Sequence, residues 1–264
     1  MFSGSSEAYE RFMGRYSRPL ARSFAEFAGI REGMHVLDIG AGTGALTDEL
    51  IARAGAGNVA ALEPSADYSA ALRERLPELD VRQAGAEKLP WEDGSFDAAL
   101  AQLVVVFLED APAATREQLR VLHDGGIGAV CMWELDGLEI FSALREVRRR
   151  FDPNAPDRKV NYRSVESLQE LFETAGFRDV ETKVLESAVE YSSVDEIWDA
   201  AIHVGDPGGP IANAFSPERL AEGRGMLDEL LGSPTGSFTL RGRAAPCAAS
   251  VSGRALRRAR RRCR

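Results

Sequence analysis

The thirteen residues His35 to Thr47, "HVLDIGAGTGALT", restrict the fold more than any other stretch of this chain. An apolar run long enough for one strand, Met34 to Ile39, carries an acid at Asp38 and passes straight into Gly40, Gly42 and Gly44. Leu46, Leu50, Ile51 and Ala54 then recur at helical spacing, so the stretch reads as strand, glycine turn and helix. Glycines at such a turn let the backbone approach a ligand with no Cβ in the way, and a helix start presents unpaired N–H groups. Ligands of open α/β sheets bind at the carboxyl ends of the strands, which is where Asp38 and the three glycines fall.

The rest of the first half repeats this alternation. Strands are expected near Met34 to Ile39, Asn58 to Glu63, Asp80 to Gln83, Phe96 to Ala101 and Ile127 to Trp133, with helices between them. That order is the signature of a parallel α/β sheet. The glycines of "DGGIGAV", Asp124 to Val130, read as a left-handed cap ending a helix over Pro112 to His123. After Trp133 the pattern loosens to a helix over Glu139 to Arg150 and a break at "FDPNAPDRK". An amphipathic helix with Val165, Leu168, Leu171, Phe172 and Ala175 on one face follows, and Gly176 ends it. "FRDVETKVLESAVEY" reads as one long strand and "GSFTLRGRA" as a last one, with a helix around Ser216 to Leu231 between them.

Composition bounds the function classes. A chain of 264 residues with 44% hydrophobic content holds one large domain, or a domain with a sizeable inserted cap. Its longest apolar run, Ala98 to Leu108, is well below the roughly 20 residues a membrane-spanning helix needs. The opening "MFSGSSEAYERFMGRY" lacks the pattern of a secretory signal, so a cytoplasmic address is expected. Cys131, Cys247 and Cys263 have no metal or redox spacing, and no structural disulfide is expected. His35, His123 and His203 have no partners at ligand spacing, and no metal is assigned. Nine arginines and no acid lie in residues 241–264, so the net charge of -9 conceals a body with 23 basic groups against 41 acidic ones. An acidic body disfavours nucleic acid and suits neutral or cationic small ligands.

Three ligand classes fit a glycine loop of this kind. A nucleoside triphosphate is disfavoured because the loop has no Gly-Lys-Ser/Thr ending. A dinucleotide and S-adenosylmethionine both remain, because "GAGTGA" satisfies the dinucleotide pattern when Ala45 takes its last place. Asp38 would be repelled by a pyrophosphate and attracted by an ammonium or sulfonium, so charge favours S-adenosylmethionine. Glu63, ending the second strand, suits vicinal ribose hydroxyls in either case.

The ordered motifs "YERFMGRYSRPLA", "VLDIGAGTGALT", "ALEPS", "AEKLPWEDGSFD", "LRVLHDGGIGAV" and "LFETAGFRDV" make the chain resemble the class I S-adenosylmethionine-dependent methyltransferases. Within them it resembles the small-molecule group that includes the ubiquinone and menaquinone biosynthesis enzymes. The resemblance implies a Rossmann-like, seven-stranded, mostly parallel sheet with helices on both faces and an inserted helical cap. It further implies S-adenosyl-L-methionine as cofactor, with Asp38, Gly40, Gly42 and Gly44 at the methionine end and Glu63 at the ribose. Ala86 and Glu87 would meet the adenine, and Gln102 would line the reactive pocket. The chain departs from the family pattern at Gly85, where an acid is usual, and at Val106, where relatives often carry a polar residue.

Tyr9, Met13, Arg15 and Tyr16 precede the first strand and read either as a lid over the methionine end, with Arg15 meeting the cofactor carboxylate, or as a plain packing helix. The expected division is a lid and cofactor core over 1–136, a substrate cap with late sheet elements over 137–235, and a last strand with a disordered Arg-rich tail over 236–264. Phe141, Phe151, Tyr162 and Trp198 suggest an apolar acceptor pocket in the cap. The expected reaction is in-line transfer of a methyl group to a carbon or oxygen of a small organic acceptor, without an evident general base; the alternatives are an NAD(P)-dependent oxidoreductase, which the glycine pattern allows, and a non-catalytic S-adenosylmethionine-binding protein, which Gly85 allows. The expected partner is that small-molecule acceptor, with no nucleic acid and no membrane span, and the sequence does not fix the oligomeric state.

Overall fold

The structure, a computed structural model, describes residues 9–151, 161–203 and 216–251, apart from the side chain of Leu135. Most of the "FDPNAPDRK" break and the arginines after Val251 lie outside the described residues. The strands are β1 (Val36–Ile39), β2 (Val59–Leu62), β3 (Asp80–Arg82), β4 (Phe96–Gln102), β5 (Leu122–Leu138), β6 (Arg178–Thr182), β7 (Leu185–Tyr191) and β8 (Phe238–Ser250). The α-helices are α1 (Arg15–Phe27), α2 (Ala45–Ala54), α3 (Ala66–Arg75), α4 (Ala111–Val121), α5 (Glu139–Phe151), α6 (Val165–Ala175), α7 (Val194–His203) and α8 (Pro217–Leu230). A π-helical turn, Glu10–Gly14, leads into α1.

The strands form one sheet in the order β3-β2-β1-β4-β5-β8-β6, with β7 paired to β8. β1 pairs in parallel with β2 and β4, β2 with β3, and β4 with β5, while β6 runs antiparallel to β8. Every residue of β1 and β2 is buried, as expected of central strands covered on both faces. Among the described residues the sheet therefore has eight strands where seven were expected. The segment read as one long strand breaks after Thr182, and its two pieces, β6 and β7, each pair with β8.

Two further boundaries differ for reasons of register. α4 stops at Val121, and Gly125 is not its cap: the α4 C-cap is Leu122, in extended backbone. Gly125, with φ 85°, sits in an irregularity where Leu122 pairs with Phe96 and Ile127 already pairs with Ala98. Five residues of β5 thus advance against two of β4, and a glycine takes the left-handed conformation this requires. β8 runs to Ser250, six residues past the stretch marked by its pattern, and buries Ala244, Ala245 and Cys247.

The chain divides into two compact units. The larger comprises Leu20–Glu134, Val160–Leu185 and Ala244–Arg264, and the smaller Met1–Pro19, Leu135–Lys159 and Glu186–Arg243. Both are discontinuous in sequence, unlike the expected cuts near 136 and 235. The smaller unit has its own aromatic interior. Phe12 packs on Phe141 at 5.8 Å between ring centroids, Tyr191 stacks on Phe238 at 6.1 Å, and Trp198 and Phe151 close around Gly223. In the larger unit, Phe172 on α6 stacks at 4.6 Å on Phe177, which fills the space a side chain at Gly128 would need.

Candidate functional site

The strand order reverses next to β1: the chain goes outward through β2 and β3, then returns to place β4 on the other side. Such a switch point opens a crevice at the carboxyl ends of the two diverging strands. The residues that follow β1 and β4 there are Gly40 and the run Leu103 to Val104. They meet so closely that a Cβ on Gly40 would lie 2.6 Å from Cγ2 of Val104. Gly40, Gly42 and Gly44 have φ of 76°, 55° and 88°, values that L-residues rarely adopt. The loop is tied to β2 by Gly40 and Ala41, whose N–H groups both donate to the Leu62 carbonyl at 2.7 and 2.9 Å. Gly44 then caps α2.

Asp38 is 1% exposed. Its Oδ2 accepts the Thr47 hydroxyl at 2.6 Å, and the Thr47 backbone N–H also donates to it. The carboxylate therefore acts as a cap for the first turn of α2 from a position nine residues upstream. Burial pushes its pKa up to about 7 against the downward pull of the Thr47 hydroxyl, and the nearby charges of Glu63 and Asp48 push the same way as burial. The charges that act on Asp38 are those of acids, while the Arg75 guanidinium at the loop is held by Asp48 at 2.6 Å and donates to the Thr43 carbonyl.

Glu63, 5% exposed, follows β2. Its Oε2 accepts from the Gly42 N–H and its Oε1 from the Ser65 N–H, each at 2.8 Å. Burial raises its pKa, and the two backbone donors oppose that rise. One side chain thus links the glycine loop to the start of α3, where Ser65 is the N-cap and accepts from the Tyr68 N–H at 3.4 Å.

The hydrogen bonds bring together Asp38, the glycine loop and Glu63. Ala86 is buried in the loop after β3. Glu87 is half-buried, and its Oε1 accepts from the N–H groups of Glu109 and Asp110 at 3.2 and 3.5 Å, so that oxygen is engaged by the backbone before α4. The missing side chain at Gly85 matters locally, since a Cβ there would stand 3.0 Å from Glu87 Oε2. Gln102 ends β4 beside β1.

Met13 and Tyr16 are interior residues of the smaller unit, Tyr16 with no exposed surface, and Tyr9 is half-buried just before the π-helical turn. Arg15 donates to Glu196 at 2.5 Å and to the Glu190 carbonyl, and its guanidinium lies 4.4 Å above the Tyr191 ring. These contacts are what a packing helix makes. The guanidinium expected to meet a cofactor carboxylate is engaged by a carboxylate of its own unit. Of the expected acceptor-pocket aromatics, Phe141, Phe151 and Trp198 belong to that interior, and Tyr162 lies in the larger unit.

Sequence reasoning missed Thr47, Ser65, Leu103 and Val104. Ser65 was findable as a helix cap, and Thr47 as a hydroxyl one turn into the helix after the loop. Leu103, with φ 61°, gave no signal because it lies in a continuous apolar run. Strain of that kind gathers where surrounding contacts fix a functional loop.

Residues 37–130 match a family described as methyltransferase domain, and this span runs from β1 into β5. An uncharacterized protein of Mycobacterium bovis is 33% identical over 143 residues, covering 52% of each chain. The ubiquinone/menaquinone biosynthesis C-methyltransferase of Idiomarina loihiensis is 38% identical over 109 residues, covering 38% of this chain and 42% of that one. The chain spans about half the length of the curated relatives it matches. Among solved structures, a putative methyltransferase from Bacillus halodurans superposes with a TM-score of 0.58 at 16% identity, covering 88% of this chain and 98% of its own. That likeness establishes the Rossmann-like fold. Residues 37–130 thus match a methyltransferase domain, and the chain is similar there to a ubiquinone/menaquinone biosynthesis C-methyltransferase.

Proposed function

We propose that this methyltransferase domain makes the whole chain an S-adenosyl-L-methionine-dependent enzyme that methylates a carbon or oxygen of a small organic acceptor. The observation that carries this reading is the pair of buried carboxylates, Asp38 and Glu63, joined through a loop of three left-handed glycines at the switch point of the sheet. A pyrophosphate would meet like charge there, whereas an ammonium or sulfonium meets attraction. Asp38 and the loop of Gly40, Gly42 and Gly44 would hold the methionine end. Glu63 would accept from the ribose hydroxyls, Ala86 and Glu87 would border the adenine, and Gln102 would face the reacting end.

When bound, S-adenosylmethionine supplies a methyl group already activated by its sulfonium charge. The residues of the chain have then to orient, align and exclude water, and near-attack geometry is worth several powers of ten in rate. The loop after β4 is apolar from Leu103 to Leu108, which suits an acceptor that is acidic enough to react without a strong base. No helix among the described residues is long and apolar enough to cross a membrane.

The test is calorimetric titration of the chain with S-adenosylhomocysteine and with NAD, followed by a methyl-transfer screen across phenols, quinone precursors and carbon acids. Binding of the former alone, lost in Asp38→Ala, supports the reading. Preference for NAD, or binding of neither, overturns it.

A further inference from the structure

Thr47 has no role in the function just proposed, yet it makes the shortest contact of the site. Its hydroxyl lies 2.6 Å from Asp38 Oδ2, and it is 0% exposed against 1% for the carboxylate. A hydroxyl of a helix interior ordinarily returns its proton to the carbonyl one turn back, which does nothing for a ligand. Here it is directed across the glycine loop onto the acid at the end of β1, and the N–H of the same residue reinforces it. The charged groups facing Asp38 are Glu63 after β2 and Asp48 on α2, the latter bound at 2.6 Å by Arg75 from α3. The residues of β4 paired beside β1, Ala98 to Leu100, are not titratable. Thr47 is thus the group that opposes burial and two like charges.

We propose that Thr47 is a positioning residue for cofactor binding: its hydroxyl holds Asp38 ionised and in a fixed orientation, and so sets the lower limit of the pH range in which the cofactor's cationic methionine end is bound. This rests on the assignment of the site to S-adenosylmethionine. A protonated Asp38 offers no charge to an ammonium, so affinity should fall about tenfold per pH unit once the group is mostly neutral. A hydrogen bond to a charged group is worth roughly one power of ten or more in equilibrium, so its loss moves that fall upward by about one pH unit.

The experiment titrates S-adenosylhomocysteine into the whole chain and into Thr47→Val and Thr47→Ser between pH 5.5 and 8.5. Valine keeps the shape and the backbone N–H while deleting the hydroxyl, and serine restores the hydroxyl. Thr47→Val is expected to bind about tenfold more weakly than wild type at pH 6 and within about twofold of it at pH 8.5, with Thr47→Ser following the wild-type profile. A loss in Thr47→Val that is equal at every pH, or a profile that does not move, overturns the inference while leaving the cofactor assignment intact. No binding by wild type at any pH overturns the assignment and the inference together. Carboxyl-carbon NMR of Asp38 in the ligand-free protein gives a second readout: an unchanged titration in Thr47→Val also refutes the proposal.

Discussion

Gly40→Ala and Gly42→Ala should separate what the glycine loop does for the fold from what it does for a ligand. Both residues have left-handed φ, 76° and 55°, so alanine at either carries a backbone penalty of about 1–2 kcal/mol. They differ in what the new methyl group meets. At Gly40 it would lie 2.6 and 2.9 Å from the two γ carbons of Val104, whose β-branched side chain has little freedom to rotate away. Overpacking of that kind adds about 1–3 kcal/mol, for a total of about 2–5 kcal/mol. At Gly42 nothing lies within 4 Å, so the backbone penalty stands alone. Urea unfolding followed by tryptophan fluorescence should show Gly40→Ala less stable than Gly42→Ala by at least about 1 kcal/mol. Calorimetry should show Gly42→Ala losing at least about tenfold in S-adenosylhomocysteine affinity, because its methyl projects into the space left for the ligand. Equal destabilisation by the two changes would refute the steric reasoning at Gly40, and full affinity in Gly42→Ala would refute the placement of the cofactor.

Three other outcomes are expected. Asp38 has its pKa raised to about 7 in the fold from 3.8, so the folded state binds its proton more tightly and stability falls as pH rises between those values. Asp38→Asn should remove that fall, up to about 4 kcal/mol, and lose cofactor affinity; thermal unfolding at pH 5 and pH 8.5 measures the first effect. His123 and Asp97 meet at 2.5 Å, the histidine raised and the aspartate lowered, so the pair stabilises fully between the unfolded values of 3.8 and 6.5. That stability is lost as pH rises through the folded histidine pKa or falls through the folded aspartate pKa. Because both side chains are more than a third exposed to solvent, the pair is worth about 0.2–1 kcal/mol, and wild type should exceed His123→Gln by that much at pH 5.5 and by less at pH 8.5. Gly223→Ala, which by helix propensity alone would stabilise α8, should instead destabilise by about 1–3 kcal/mol, because its Cβ would lie 2.4 Å from Phe151 and 2.6 Å from Trp198. Differential scanning calorimetry gives the sign.

What the sequence disclosed and what it hid divide along the range of the interactions concerned. α6 was legible to the residue because its limits are local: Ser164 and Ser167 form a capping box and Gly176 takes a left-handed φ of 113°. Asp38, the three glycines and Glu63 were legible as residues of a strand edge for the same reason. The bulge at Gly125 depends on how β5 meets β4, and the split of the late strand depends on β8, more than fifty residues later in the chain. Arg15 shows the limit most clearly. Its residue type predicts a carboxylate partner, and the structure supplies Glu196, 181 positions away, which no local pattern could name. α7, which buries Val194, Ile197, Trp198, Ala201 and Ile202, is the one described helix after Trp133 for which the sequence analysis offers no expectation.

The two buried carboxylates explain why this edge of the sheet is built as it is. Each is held above the ordinary carboxylate range by burial, and each is opposed only by backbone N–H groups and one hydroxyl. A core selected for stability alone would place apolar residues at both positions, since neutral isosteres remove a desolvation penalty at no loss of packing. Instead the fold directs the start of α2 at Asp38, and the Gly42 and Ser65 N–H groups at Glu63. Partial charges fixed in this way stabilise the anions without neutralising them, as a matched cation would. On the proposed reading an ionised Asp38 therefore keeps its attraction for an incoming positive charge, and the cost of its burial is relieved either by that ligand or by protonation.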